Sequence, residues 1–249
     1  MERMKQSLSI LLTPIFYLYF GLTLVVFHPI QVLTRLSIGA KMHDRVVAAL
    51  NFFLMRCINI LGASYRFIGF QKLPTNKPII FVSNHQSMWD IPPLIWKFRK
   101  HRPKFVAKKE LARFIPSISY NLRVGGSVAI DRKNPESAVA KISAFAKNIG
   151  KNKFSICIFP EGKRNTDGII QQFKISGLEA ILKEIPDALV VPVVIRNTNK
   201  IDIKGKFWKR IGVKVSFSQL KPRKVSLQNI SEEIEAIRQE MISVAAQAA

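Results

Sequence analysis

The polarity pattern of the chain changes character near Gly62: two long apolar segments precede it, and short apolar runs alternating with amphipathic stretches follow. Residues 6–34 contain no Asp, Glu, Lys or Arg, and the core of that run, 8–27, is long enough to cross a hydrocarbon layer. A cleaved signal peptide fits less well, because the run exceeds a usual signal core and no Ala-x-Ala-like site follows it directly. The second segment, 46–61, carries Arg56, Asn51 and Asn59, which are costly at a bilayer centre, so it reads as an interfacial helix. With Pro29 as a breaker, the two predict a membrane-embedded helical hairpin over 1–62 that dips into one leaflet and returns; a single full span is the alternative. Arg3, Lys5, Arg35, Lys41 and Arg45 put positive charge on both flanks, so the charge rule gives no direction for one span and suits a hairpin with both ends on the cytoplasmic side.

Downstream, 65–70, 79–83, 104–107, 127–130, 154–159, 188–196 and 213–217 read as strands, while 89–98, 136–149 and 176–183 carry helical spacing, with Pro135 at a helix start. This alternation predicts an α/β fold: one domain over 63–225 with a covered, mainly parallel central sheet. Pro192 inside an apolar strand marks an edge, a bulge or a kink. The tail, 226–249, predicts an amphipathic helix packed on the domain, with Ser231 as its cap and Ile234, Ile237 and Met241 on one face.

Composition adds two constraints. With 249 residues and 48% apolar content, the chain is not disordered, and its net charge of +23 calls for an anionic partner: nucleic acid, an anionic membrane surface, or acidic substrates and carriers. Cys57 and Cys157 lie far apart in apolar contexts without metal-ligand spacing, which predicts buried reduced thiols.

Candidate chemistry gathers where strands empty into polar turns. The apolar run 78–83 ends in Asn84-His85-Gln86-Ser87-Met88-Trp89-Asp90. His85 and Asp90 would diverge by about 140° on a continuous helix, so they meet only across a turn. There Asp90 would fix the imidazole tautomer and leave the other ring nitrogen free as a general base. Ser87-x-x-Asp90 also fits a capping box, so the stretch read alone is equally an ordinary helix start. Two further runs end similarly, in Ile130-Asp131-Arg132 and in Phe159-Pro160-Glu161-Gly162-Lys163-Arg164. Polar ends on several strands of one α/β sheet place a site at that rim.

Four blocks in order, Asn84-His85-x-Ser87-x-x-Asp90, Gly126-x-x-x-Ile130-Asp131-Arg132, Phe159-Pro160-Glu161-Gly162-x-Arg164 and Val191-Pro192-Val193, resemble those of the glycerolipid acyltransferases, best known for the 1-acylglycerol-3-phosphate acyltransferases. The resemblance covers roughly residues 65–200, and the N-terminal segments look like the membrane-dipping helix pair of bacterial members. It implies His85 as the base for a glycerol hydroxyl that attacks an acyl thioester, with Asp90 supporting the imidazole. Arg132 and Arg164 are suited to the acceptor phosphate, to which Lys108 or Lys109 would contribute, and Asn84, Ser87, Asp131, Glu161 and Gly162 would shape the site. No metal or redox cofactor is implied. The co-substrate would be acyl-CoA or an acyl-acyl carrier protein, the acceptor lysophosphatidate, and the location the cytoplasmic face of a bacterial inner membrane. A serine acyl-enzyme at Ser87 is disfavoured by the same resemblance, which implies direct transfer.

Two departures stand out: Ala129 where the family usually has Phe, and Lys163 where it has Thr. The second adds a cation near the expected phosphate site, which leaves another lysophospholipid or a lyso-aminolipid as alternative acceptors. The excess charge falls in two stretches, Lys97 to Arg113 and Lys200 to Lys224, suited to an anionic leaflet, an acidic carrier protein or coenzyme A phosphates. Nucleic acid is disfavoured as a partner, since no helix-turn-helix, zinc-ligand or RNA-platform signature accompanies the charge. An inactive membrane-tethered lipid- or anion-binding protein is the remaining alternative.

Overall fold

The computed structural model describes residues 2–152 and 154–247. Two helices open the chain, α1 (Glu2–Ser37) and α2 (Ala40–Ile60), folded against each other as a hairpin. The reversal is not at Pro29. Pro14 and Pro29 both lie inside α1, and the chain turns at Ile38 and Gly39, where Gly39 has φ 103, a backbone state that suits glycine. A proline removes one amide from a long helix, and the neighbouring turns of so long an apolar helix carry it through. The amides of Ile38 and Gly39 both donate to the carbonyl of Thr34, closing the helix end. Helix α2 starts earlier than its apolar run, taking in Lys41, Asp44 and Arg45. Its asparagines serve the backbone: Asn51 Nδ2 donates to the Val47 carbonyl and Asn59 Nδ2 to the Ala63 carbonyl.

The α/β body follows as β1 (Ser64–Ile68), β2 (Ile79–Ser83), α3 (Ile91–Lys97), β3 (Pro103–Lys108), α4 (Ile118–Val124), β4 (Val128–Ile130), α5 (Pro135–Asn152), β5 (Ser155–Ile158), α6 (Ile175–Glu184), β6 (Leu189–Arg196), β7 (Lys214–Gln219) and α7 (Ile230–Ala246). All seven strands read from the sequence form, in one sheet of order β1-β7-β6-β2-β5-β3-β4 that is parallel except at β6–β7. Helix α4 was not read from the sequence, and Asn229 rather than Ser231 caps α7.

Alternation along the strands divides the core. Ile79 and Phe81 of β2 join one apolar cluster with Val191, Val193 and Ile195 of β6, and with Leu54 and Ile58 of α2 and Leu94 of α3. Ile80 and Val82 join the other, with Ile142 of α5, Ile181 of α6 and Ile237 of α7. The sheet is thus covered on both faces, as an uninterrupted apolar strand requires. The N-terminal helix is part of this body, since Phe16 and Leu24 of α1 belong to the first cluster.

Pro192 occupies an interior strand and faces Val82 in parallel register. The accommodation is on the other side. Val193 pairs with Gln219, while Val190 bridges to Arg223, so the partner chain carries one extra residue there. Leu220 still donates to the Pro192 carbonyl, and the bulge removes the need for the amide that proline lacks.

Candidate active site

Strands β6, β2, β5, β3 and β4 are adjacent and mutually parallel, so the turns after them gather at one rim. Those turns carry Thr198, His85, the loop 159–165, Lys108 with Lys109, and Asp131 with Arg132, respectively. A rim of this kind at the carboxyl edge of an α/β sheet is the usual place for a site.

The centre is the turn after β2. Residues 84–87 leave the strand, with Ser87 extended, and a single 3-10 turn, Met88–Asp90, follows, so the chain doubles back and His85 Nδ1 lies 2.7 Å from Asp90 Oδ2. The same carboxylate oxygen accepts from the amides of Gln86 at 2.7 Å and Ser87 at 3.0 Å, and Asp90 Oδ1 accepts from the Thr198 hydroxyl at 2.5 Å. Gln86, Ser87 and Thr198 all act as donors toward Asp90, so His85 Nδ1 is a donor as well and Nε2 is the basic nitrogen. Asp90 is fully buried and His85 is 7% exposed.

The capping box also forms, with Ser87 Oγ accepting from the Trp89 amide at 3.0 Å. Helix start and histidine support are therefore one arrangement, with Asp90 serving both. Among the described residues Ser87 Oγ makes no hydrogen bond to His85, so nothing in the turn prepares it as a nucleophile.

Asn84 ties the turn to the neighbouring strand. Its Nδ2 donates to the Ile195 carbonyl at 2.9 Å and its Oδ1 accepts from the Ile195 amide at 2.7 Å, extending the β2–β6 ladder through a side chain.

From the other flank the loop after β5 holds His85 at three places. Glu161 Oε1 accepts from the His85 amide at 2.9 Å, the Asn165 amide donates to the His85 carbonyl at 2.7 Å, and the Phe159 ring stacks on the imidazole at 4.1 Å. Gly162 has φ 70, which lets the loop turn within hydrogen-bond reach of Phe159. Glu161 is 4% exposed, and its pKa is pushed up to about 7, chiefly by burial and in lesser part by the charge of Asp90, against the opposing hydrogen bond from His85.

The basic residues lie on the β4 side of this centre. Arg132 is held below its ordinary pKa by its desolvated surroundings and then by the nearby charge of Arg164. Lys109 Nζ sits 2.5 Å from Asp131, and Lys108 Nζ 3.5 Å from Glu110. Lys109 is thereby the lysine tied to the Asp131-Arg132 turn. Lys163 is exposed beside Arg164. Thr198, Phe159 in its stacking role and Asn165 were not singled out from the sequence as site residues. Among the described residues no group of three or more His, Cys, Asp or Glu is placed to hold a metal ion, and both cysteines are buried and free.

Against known proteins, residues 64–196 match the family model described as Acyltransferase, which takes in all five strand ends of the rim apart from Thr198. The chain belongs to the acyltransferase family. A protein named as a putative 1-acyl-sn-glycerol-3-phosphate acyltransferase from Caenorhabditis elegans is 28% identical to this acyltransferase over 190 residues, 73% of this chain and 64% of that one. One named 1-acyl-sn-glycerol-3-phosphate acyltransferase from Borreliella burgdorferi is 31% identical over 161 residues, 63% of this chain and 62% of its own length. The match thus spans less than two thirds of either relative. The acyltransferase also shares its fold with the crystal structure of the LPA acyltransferase from Thermotoga maritima, with TM-score 0.77 and 23% identity over 98% of this chain and 99% of that one.

Proposed function

We propose that the protein transfers a fatty acyl group from an acyl thioester, carried by coenzyme A or by acyl carrier protein, to the free sn-2 hydroxyl of 1-acyl-glycerol-3-phosphate. The observation that carries this reading is the His85–Asp90 pair at 2.7 Å on the same rim as Arg132 and Arg164. The similar 1-acyl-sn-glycerol-3-phosphate acyltransferases support the acceptor. His85 Nε2 takes the proton from the acceptor hydroxyl as the oxygen attacks the thioester carbonyl, and Asp90 stabilises the imidazolium that forms. The carbon–sulfur bond then breaks and the thiolate leaves with the proton that His85 had taken. Ester and free thiol are the products. Arg132 and Arg164 hold the acceptor phosphate, whose two charges relieve their mutual repulsion, and Lys109 completes that side.

Helix α1 supports membrane association: its most apolar 18-residue window has mean hydropathy 2.2, and only 22% of that window is buried. Leu11, Leu18, Leu22 and Leu33 on its outer face are exposed. In this reading the hairpin rests in one leaflet of a bacterial inner membrane and presents the rim to its cytoplasmic face, where a membrane-borne lysolipid meets a water-soluble donor.

The test is acyl transfer by detergent-purified protein from a long-chain acyl thioester, in both donor forms, to lysophosphatidate and to a panel of other lysolipids, beside folded His85→Ala. Phosphatidate formation lost in His85→Ala is the expected result. Activity confined to another lysolipid overturns the acceptor, and no transfer at all overturns the enzyme reading.

A further inference from the structure

The fold divides the basic stretch that follows α3. Lys108 and Lys109 reach the catalytic rim at the carboxyl end of β3, whereas Arg99, Lys100 and Arg102 stand at the opposite end, before that strand begins. There they face the first turns of α2 across an open cavity of about 460 Å³, whose charged lining is Lys41, Arg45, Arg99, Lys100 and Arg102 against one carboxylate, Asp44.

That carboxylate is already engaged. Arg102 Nε lies 2.5 Å and the buried Lys104 Nζ 2.7 Å from its two oxygens. Lys41, Arg45, Arg99 and Lys100 have no acidic partner among the described residues. Helix α2 strengthens the positive field: Gly39 offers no side-chain cap, the first turn holds no acidic residue, and it carries Lys41 at the positive end of the helix dipole. Arg102 enters the cavity from a left-handed backbone, φ 50, held over the Phe154 ring as well as by Asp44. Four unpaired cations around one hollow are a receptor for a phosphate-bearing anion.

The surroundings say what the anion is attached to. Leu36 and Ile38, at the hairpin tip just before α2, are 77% and 64% exposed. Trp96 lines the cavity with the Arg99 guanidinium stacked 4.0 Å over its ring, a pairing of indole and cation suited to headgroup depth. A water-soluble phosphate needs no exposed apolar tip beside its site; a lipid needs one for its chains.

We infer that this cavity binds the phosphate headgroup of an anionic glycerophospholipid, with the acyl chains along the hairpin tip, at a site separate from the catalytic rim. The inference stands apart from the acyl-transfer reading. Its consequence is positional: a lipid held here fixes the depth of the α1–α2 turn in the leaflet.

The test titrates the full chain in neutral detergent with dihexanoyl-phosphatidylglycerol, dihexanoyl-phosphatidylcholine and inorganic phosphate by calorimetry. The proteins compared are the parent, the double variant Lys41→Gln/Arg45→Gln, Lys100→Gln as the milder substitution should the double variant fail to fold, and His85→Ala. Saturable binding of phosphatidylglycerol, weakened roughly tenfold or more in the double variant and severalfold in Lys100→Gln, is expected. His85→Ala should bind it like the parent, which keeps the result independent of catalysis. Equal binding of phosphatidylcholine, or affinity indifferent to these substitutions, overturns the site. Inorganic phosphate binding as tightly as the lipid overturns the lipid assignment and marks a pocket for a soluble phosphate compound.

Discussion

The ring of Phe159 lies flat against the imidazole of His85, with centroids 4.1 Å apart and planes 16° from parallel. The imidazole is thus fixed in its plane by an aromatic wall and in its tautomer by Asp90. Replacing Phe159 by Leu keeps apolar bulk and removes the flat wall. We expect kcat to fall by roughly tenfold or more, since small displacements of a reacting group are costly, with KM for the acceptor little changed. Unaltered kcat in Phe159→Leu would show that Asp90 alone orients the ring.

Thr198, in the 3-10 turn after β6, completes the support of Asp90 from 108 residues away in sequence. Thr198→Val preserves shape and deletes the donor to Oδ1, leaving a fully buried carboxylate oxygen short of a partner. A loss of about 1–3 kcal/mol in stability is expected by thermal unfolding. kcat should fall with it, because Asp90 loses part of what holds it against His85 Nδ1. A variant with parental stability and parental kcat would remove Thr198 from the site.

How far the sequence could reach is shown by these residues. The strands were legible because Ile79 to Val82 and Ile156 to Ile158 are uninterrupted apolar runs with both faces buried. His85 and Asp90 were legible because a turn is the only way for residues so spaced to meet. Thr198 has no local pattern to announce it; its role exists only once β6 lies beside β2. Helix α4 is a short, mixed-polarity segment tied down by tertiary contacts, among them the Ser117 hydroxyl donating to the Leu24 carbonyl of α1 and the Ser117 amide donating to His28 Nδ1. Pro29 misled for the converse reason: a local rule was outweighed by a long apolar helix whose reversal belongs to Gly39.

Glu161 makes stability depend on pH in a direction opposite to that of a salt-bridged carboxylate. Its pKa is raised to about 7 in the folded chain, so the folded state binds the proton more tightly than the unfolded one. The stabilisation is fully present below the ordinary carboxylate range and is lost as pH rises through about 7, by up to about 3 kcal/mol. Glu161→Gln keeps a carbonyl for the His85 amide and abolishes the titration. The melting temperature of Glu161→Gln relative to the parent should therefore rise between about pH 5 and pH 8; a constant difference would show that Glu161 stays ionised.

Trp89, adjacent to Asp90, packs edge-on to two rings of α1, Phe16 at 5.2 Å and Phe20 at 5.7 Å. Phe16 is almost fully buried. Phe16→Ala should destabilise the protein by about 3–5 kcal/mol and lower kcat together with stability, because the cavity opens directly behind the catalytic turn. Phe16→Leu should recover most of both. An Ala variant stable and active in detergent would mean that α1 only rests on the domain.

Helix α1 carries two apolar faces with different demands. Its inward positions, Ser9, Thr13, Phe16, Thr23, Leu24 and Gln31, recur with the turn of the helix, and some are small and polar because particular atoms await them: Thr13 Oγ1 accepts from the Lys209 amide at 3.0 Å. Its outward leucines and valines are exposed and meet no other part of the fold closely. Exchange tolerance along α1 will therefore oscillate with the 3.6-residue period. One stripe tolerates exchange among greasy residues while the other admits few, so hydropathy can stay constant along a helix under two unequal constraints.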